Sequence, residues 1–310
     1  MRPPFPFIVG CGRSGTTLLR LMLDAHPELA IPSESYFPLR ADAAWRHPDG
    51  GVDVSLFRWA IEPTEWFQRW RVAPERLDEA FNEHTRLRYA EAVRRSFAAY
   101  AAERGKPRFG NKTPIHVVRL DRLARMFPEA VFVHIVRDGR DVAASFLEVP
   151  FGPDRLDEAA VFWRNRVERG RASGRRIGPR RYREVSYEAL VGDPERELRA
   201  LAPFCGLDFD PAMLRSHERA TPDRWYHRRL TEPPSRGRDW RRQMSPDDVT
   251  AFEVLAGPSL RRLGYERGAR LGPVSAARSR VVDARFRISL SRQMAKRGAP
   301  NVRATTEVPS

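Results

Sequence analysis

Cysteine is nearly absent from this 310-residue chain, which holds only Cys11 and Cys205. Two thiols exclude a disulfide scaffold and a four-cysteine zinc site, and they suit a reducing compartment. Long apolar runs are also missing. The longest, such as residues 131–136, stop far short of the roughly 18 residues that a membrane-spanning helix needs. The amino terminus, Met1-Arg2-Pro3-Pro4-Phe5-Pro6, lacks the cationic segment, apolar stretch and small-residue cleavage site of a secretory signal. A cytoplasmic enzyme is the expectation. No group of His, Cys, Asp or Glu stands at ligand spacing, so no metal is expected. Lysine is scarce too. Of 55 basic residues only Lys106, Lys112 and Lys296 are lysine, leaving 52 arginines.

What the chain has in excess is positive charge, a formal net of +15. Such a surface attracts phosphates, sulfates, nucleic acid and anionic lipid, and arginine favours bidentate contacts to oxyanions. The excess is uneven. Residues 268–310 carry nine basic side chains against Asp283 and Glu307, nearly half of it. That segment reads as a basic tail, either disordered or an amphipathic helix able to touch a membrane surface.

Along the chain, residues 5–9 read as a buried strand ended by Gly10, and residues 17–25 as a helix after a Gly-rich turn. Residues 38–105, rich in Trp, Arg, Glu and Ala and broken by Pro and Gly, read as a mostly helical insertion. Residues 115–126 read as a helix with Pro128 beyond its end. Val131-Phe132-Val133-His134-Ile135-Val136 gives the strongest buried-strand signal. Residues 181–185 form a third strand before a helix at 194–204. Strands alternating with helices imply an α/β fold, a central parallel sheet flanked by helices in three layers. Residues 1–267 are expected to form one domain with the 38–105 insertion inside it.

Two turns carry chemistry. Gly10-Cys11-Gly12-Arg13-Ser14-Gly15-Thr16-Thr17 joins a strand to a helix, which presents backbone N–H groups and a helix N-terminus to an anion. Its glycines match a nucleotide P-loop, but Thr16 stands where that motif requires lysine. This counts against ordinary ATP or GTP hydrolysis. Arg137-Asp138-Gly139-Arg140-Asp141 again ends a strand and enters a helix.

Arg13-Ser14-Gly15-Thr16-Thr17 resembles the 5′-phosphosulfate loop [KR]-S-G-T-T of the sulfotransferase family at all five positions. The continuation from Leu18 to Leu29 resembles the tyrosylprotein and bacterial branch. Arg137 and Ser145 match the spacing of the family's 3′-phosphate site. Ser186-Tyr187-Glu188-Ala189-Leu190 is similar to its Y-E-x-L segment, with Tyr187 beside the donor nucleotide, and Arg236 and Gly237 loosely match its late R-G loop. The resemblance implies a P-loop-like fold and the donor 3′-phosphoadenosine 5′-phosphosulfate, without a metal.

Sulfuryl transfer to a hydroxyl needs a base, cations and in-line geometry. By the resemblance, Glu34 in Pro32-Ser33-Glu34-Ser35 falls at the branch's base position. In isolation it would read as a cap or surface carboxylate. Cytosolic relatives place a histidine base in K-T-H, but Asn111-Lys112-Thr113-Pro114 puts proline in that slot. Lys112 then aligns with the cation at the bridging oxygen, Arg13 shares that task, and His116 is the fallback base. His134 reads as a core histidine and His26 as a brace at the helix end. Trp163, Trp225 and Trp240 read as core. The acceptor stays open among glycan, glycolipid, peptide and small metabolite, and it is expected to be met by the 38–105 insertion. Nucleic acid is not expected as a partner. The alternatives are a P-loop kinase-like phosphotransferase, or a protein that binds nucleic acid or membranes through its basic surface.

Overall fold

The computed structural model describes residues 2–39, 47, 49–219, 230–235 and 237–268. Trp225, Arg236 and all but the first residue of the basic tail lie outside the described residues. The fold is built on strand β1, Phe5–Gly10, whose six residues are all buried. Helix α1, Thr16–Asp24, follows the Gly-rich turn. After it come β2 (Leu29–Ala30), β3 (Gly51–Asp53), α2 (Val54–Ile61), α3 (Glu65–Gln68), α4 (Pro74–Phe81), β4 (Arg86–Arg88), α5 (Tyr89–Ala102), β5 (Arg108–Phe109) and β6 (Asn111–Lys112). The chain continues through α6 (Leu120–Met126), β7 (Ala130–Val136), α7 (Gly139–Phe146), α8 (Leu156–Ile177), β8 (Tyr182–Ser186), α9 (Tyr187–Gly192), α10 (Pro194–Leu201), α11 (Trp240–Gln243) and α12 (Pro246–Arg262).

Contacts divide the described residues into two compact units, one from the stretches 2–138 and 165–239 and one from the stretches 139–164 and 240–268. The first unit holds a four-stranded sheet in the order β6-β1-β7-β8, parallel throughout. Alternate side chains of the sheet enter two separate cores. Phe5, Phe7, Val9 and Phe132 join one, whereas Ile8, Val133, Ile135 and Val185 join the other. Apolar residues on both faces are what a parallel sheet covered on both sides requires. Phe57, Phe67, Trp70 and Phe97 share the first core with Phe37, so aromatic residues of the largely helical 38–105 region complete one face of the sheet.

Residues 115–126 do not form one helix. Pro114–Arg119 is a 3-10 segment, and α6 begins only at Leu120, after Arg119 leaves helical geometry at φ −138°. Pro114 has no N–H, and the His116 N–H closes the tighter three-residue bond to the Thr113 carbonyl.

The second unit is organised around a buried ion pair. Arg140 Nη1 on α7 donates to Glu253 Oε1 on α12 at 2.6 Å, and both side chains are about fully buried. The Arg140 guanidinium lies 3.7 Å from the Trp240 ring centre. Asp141 Oδ1 accepts from the Trp240 N–H at 2.7 Å, and Gly268 N–H donates to Glu253 at 2.7 Å. Trp163 is fully buried in this unit, where a Cβ on Gly139 would come within 2.5 Å of its indole. Thus Gly139, Arg140 and Asp141 of the second turn serve packing.

Candidate active site

Parallel strands place every strand-to-helix turn on one edge of the sheet, the edge where α/β folds bind ligands. The register makes this concrete, because Ile8 pairs with Lys112, Gly10 with Ile135 and Val136 with Ser186. The turns after β1, β6, β7 and β8 therefore share the carboxyl edge.

Arg13, at φ 67°, and Gly15, at φ 90°, both adopt the left-handed conformation in the first turn. Left-handed residues in such turns gather successive N–H groups into an anion-binding concavity. No side chain caps α1, so its first N–H groups have no partner within the helix. Ser14 is fully buried, and its Oγ has no hydrogen-bond partner among the described residues. Thr16 is buried and Thr17 half-buried. These features fit an oxyanion. Cys11, in the same turn, is a neutral thiol, since burial pushes it up to about 12.

Tyr187 lies across this turn. A Cβ added to Gly15 would fall 2.4 Å from its ring. The Arg137 guanidinium sits 4.3 Å from the Tyr187 ring centre, and the Tyr187 hydroxyl faces the Ser235 carbonyl at 3.5 Å. Glu188 fixes the end of β7, accepting from the Asp138 N–H at 2.9 Å and from Ser186 Oγ at 2.9 Å. The first turn, Arg137 and Tyr187 are thus assembled in one cluster. Ser145 is buried on α7, in the second unit, and its assignment rests on the motif's spacing. Gly237 is half-buried outside any helix or strand.

Glu34 and Lys112, 78 positions apart, meet at 2.9 Å between Oε1 and Nζ. Lys112 is 4% exposed and Glu34 38%, a shielded cation behind an accessible carboxylate. Tyr36 OH donates to the other oxygen, Oε2, at 3.0 Å. A buried network holds this arrangement. Asn111 Nδ2 donates to Ser35 Oγ at 2.8 Å, Ser35 N–H to Thr113 Oγ1 at 3.1 Å, and Thr113 Oγ1 to the Ser35 carbonyl at 2.8 Å. The segment is also tied to α1, where Arg20 donates to the Ile31 carbonyl at 3.0 Å and Asp24 accepts from its N–H at 2.6 Å.

His116 is placed behind this network, its Nδ1 3.2 Å from Asn111 Oδ1. Burial pushes it down to about 3, against a smaller upward pull from Glu34. His116 is thus enclosed behind the more accessible Glu34 carboxylate. His134 is likewise buried, Nδ1 2.6 Å from Tyr182 OH, and His26 braces the end of α1 through Glu28 N–H and the Asp208 carbonyl. Sequence reasoning missed Tyr36, the Ser35 network and Arg166. The last is a half-buried arginine of α8 near Cys11. As one arginine among 52, it carries no local signal.

Among the described residues no three His, Cys, Asp or Glu side chains form a metal-holding group, and no helix is long and apolar enough to cross a membrane.

The chain is 25% identical over 281 residues to protein-tyrosine sulfotransferase A of Caenorhabditis elegans, covering 86% of this chain and 68% of that protein. It is 27% identical over 300 residues to nodulation protein NoeE of Sinorhizobium fredii, covering 86% and 67%. Among solved structures, the sulfotransferase domain of a Synechococcus olefin synthase superposes with a TM-score of 0.56 at 22% identity, over 83% of this chain and 96% of that one. The sulfotransferase domain of the curacin biosynthetic pathway gives 0.56 at 19%, over 86% and 99%. At such identities these likenesses show the fold, a parallel sheet flanked by helices. A model of the sulfotransferase family matches residues 4–211, two thirds of the length, and with that match the phosphotransferase alternative gives way: the chain belongs to the sulfotransferase family.

Proposed function

We propose that this sulfotransferase moves a sulfuryl group from 3′-phosphoadenosine 5′-phosphosulfate to an acceptor hydroxyl, with Glu34 as base. The observation that carries the reading is the Glu34–Lys112 pair, set at the same sheet edge as an uncapped helix turn with the chemistry of an oxyanion site. The donor supplies an activated sulfuryl group and a phosphate leaving group; everything else is done by side chains. Arg13, Ser14, Gly15, Thr16 and Thr17 hold the 5′-phosphosulfate through N–H and hydroxyl donors. Arg137 holds the 3′-phosphate, and Tyr187 braces both Gly15 and Arg137.

Glu34 takes the acceptor's proton. Once it does so its charge is gone, and Lys112, held beside it, is released to neutralise the bridging oxygen of the departing phosphate. Base and cation act in sequence because they begin as a pair. General-base catalysis contributes about 10²–10⁴-fold, so Glu34→Ala is expected to lower transfer by that amount while leaving nucleotide binding in place.

The test is calorimetric titration with adenosine 3′,5′-bisphosphate, beside ATP and ADP with magnesium. Tight, metal-independent binding of the bisphosphate is expected. Arg137→Ala should weaken the bisphosphate at least about tenfold, the loss of one charged hydrogen-bonding partner, and leave adenosine 5′-monophosphate unchanged. Preference for magnesium–ATP, or equal losses for both nucleotides, would overturn the assignment.

A further inference from the structure

The base carries a phenol of its own. Lys112 donates to Glu34 Oε1, while Tyr36 OH donates to Oε2 at 3.0 Å. In chemical kind and in hydrogen-bond geometry this is the contact that an acceptor hydroxyl must make with a general base before it is deprotonated. We propose that Tyr36 is an internal acceptor: supplied with 3′-phosphoadenosine 5′-phosphosulfate and no other acceptor, the chain sulfates its own Tyr36. The inference rests on the donor and base assigned above.

Three observations distinguish Tyr36 from Tyr89, Tyr100, Tyr182 and Tyr187. Its backbone is pinned on both sides, by Ser35 in the buried Asn111–Thr113 network and by buried Phe37, whose carbonyl accepts from Tyr89 OH. Tyr36 is 48% exposed, so its phenol meets the carboxylate at the surface and not inside the core. The segment is tied to Thr113 at the end of β6, and the Thr113 N–H donates to the Ile8 carbonyl of β1, the strand that leads into the proposed donor turn. By contrast Tyr89 and Tyr100 are buried, Tyr182 is committed to His134 and Glu184, and Tyr187 packs on Gly15.

The step balances without a redox partner. A lone pair of the Tyr36 phenolic oxygen forms the new O–S bond. The bond from sulfur to the 5′-phosphate oxygen breaks, its electron pair leaving with adenosine 3′,5′-bisphosphate. The phenolic proton goes to Glu34 Oε2. Reaction stops at one group per chain, because the sulfate ester has no proton to give and sets a negative charge against the Glu34 carboxylate. An external acceptor must displace Tyr36 from Oε2, so it competes with self-sulfation.

The experiment incubates the full chain with the donor alone and reads intact mass and peptide maps. Bisphosphate affinity is measured by calorimetry on the same preparations. The expected result is one sulfuryl group, on the peptide that contains Tyr36. It should be absent in Tyr36→Phe and formed at least about 100-fold more slowly in Glu34→Gln, the loss of a general base, with bisphosphate affinity retained in both variants. Bisphosphate binding with no gain of mass, or with the group on another residue, would overturn the internal acceptor and leave the donor assignment standing. A wild-type chain that does not bind the bisphosphate would overturn both.

Discussion

A methyl group on Gly15 would meet the Tyr187 ring at 2.4 Å, on a backbone held at φ 90°. Two separate costs arise there. The left-handed conformation disfavours any Cβ by about 1–2 kcal/mol, and the ring must move off the turn it covers. Gly15→Ala is therefore expected to weaken adenosine 3′,5′-bisphosphate by more than the tenfold that about 1.4 kcal/mol represents. Gly105 separates the two causes. It is also left-handed, at φ 65°, yet nothing lies within 4 Å of its Cβ position. Gly105→Ala should show the backbone cost as a lower unfolding midpoint while the bisphosphate affinity stays at the wild-type value. If Gly15→Ala binds as tightly as wild type, Tyr187 does not brace the donor turn.

At the scale of elements, the ion pair between α7 and α12 makes the sharpest stability prediction. Removing one member of a buried pair leaves the other charge uncompensated, at a cost of about 3–5 kcal/mol. Glu253→Ala exposes Arg140 to this penalty and also strips the Gly268 N–H of its acceptor. Urea unfolding should register the loss, and Arg140→Met with Glu253→Met should recover most of it. A double variant no better than Glu253→Ala would show that specific hydrogen bonds, not buried charge, hold these helices. Elements were legible in sequence in proportion to their apolar pattern. The runs behind β1 and β7 are continuous and buried, and α1 lies within a residue of its expected bounds. The two-residue strands β2, β5 and β6 are too short to carry a periodicity, and they exist only because neighbouring strands complete them. Of the candidate site, the Gly-rich turn was readable from its residues as a place for an anion, while its proposed donor and the roles of Glu34 and Lys112 were reached only through the family resemblance. Their pairing, like the Ser35 network, joins positions about 80 apart and leaves no local trace. Arg140 and Asp141 belonged to a recognisable motif, yet the structure gives them packing partners.

Acidity acts on the whole molecule through two histidines. His116 and His134 are fully buried, and burial pushes each down to about 3, against roughly 6.5 in an unfolded chain. Between those values the unfolded chain binds more protons than the folded one. Stability is therefore complete above about pH 6.5 and falls as pH drops toward 3, by about 1.4 kcal/mol per pH unit for each histidine. By pH 5 the pair has removed about 4 kcal/mol of the stability present well above pH 6.5, a large share of the 5–15 kcal/mol typical of a domain. Carboxylates such as Asp121, held below the usual range by the Arg176 hydrogen bond, contribute only at lower pH and leave this window to the imidazoles. The net charge of +15 works in the same direction, since each proton taken up adds to self-repulsion in an already cationic chain. Urea midpoints at pH 7.5, 6 and 5 should decline with this slope. His134→Gln, which retains a polar partner for Tyr182 OH, should remove about half of it. An unchanged slope in that variant would mean that groups other than the buried imidazoles govern acid stability.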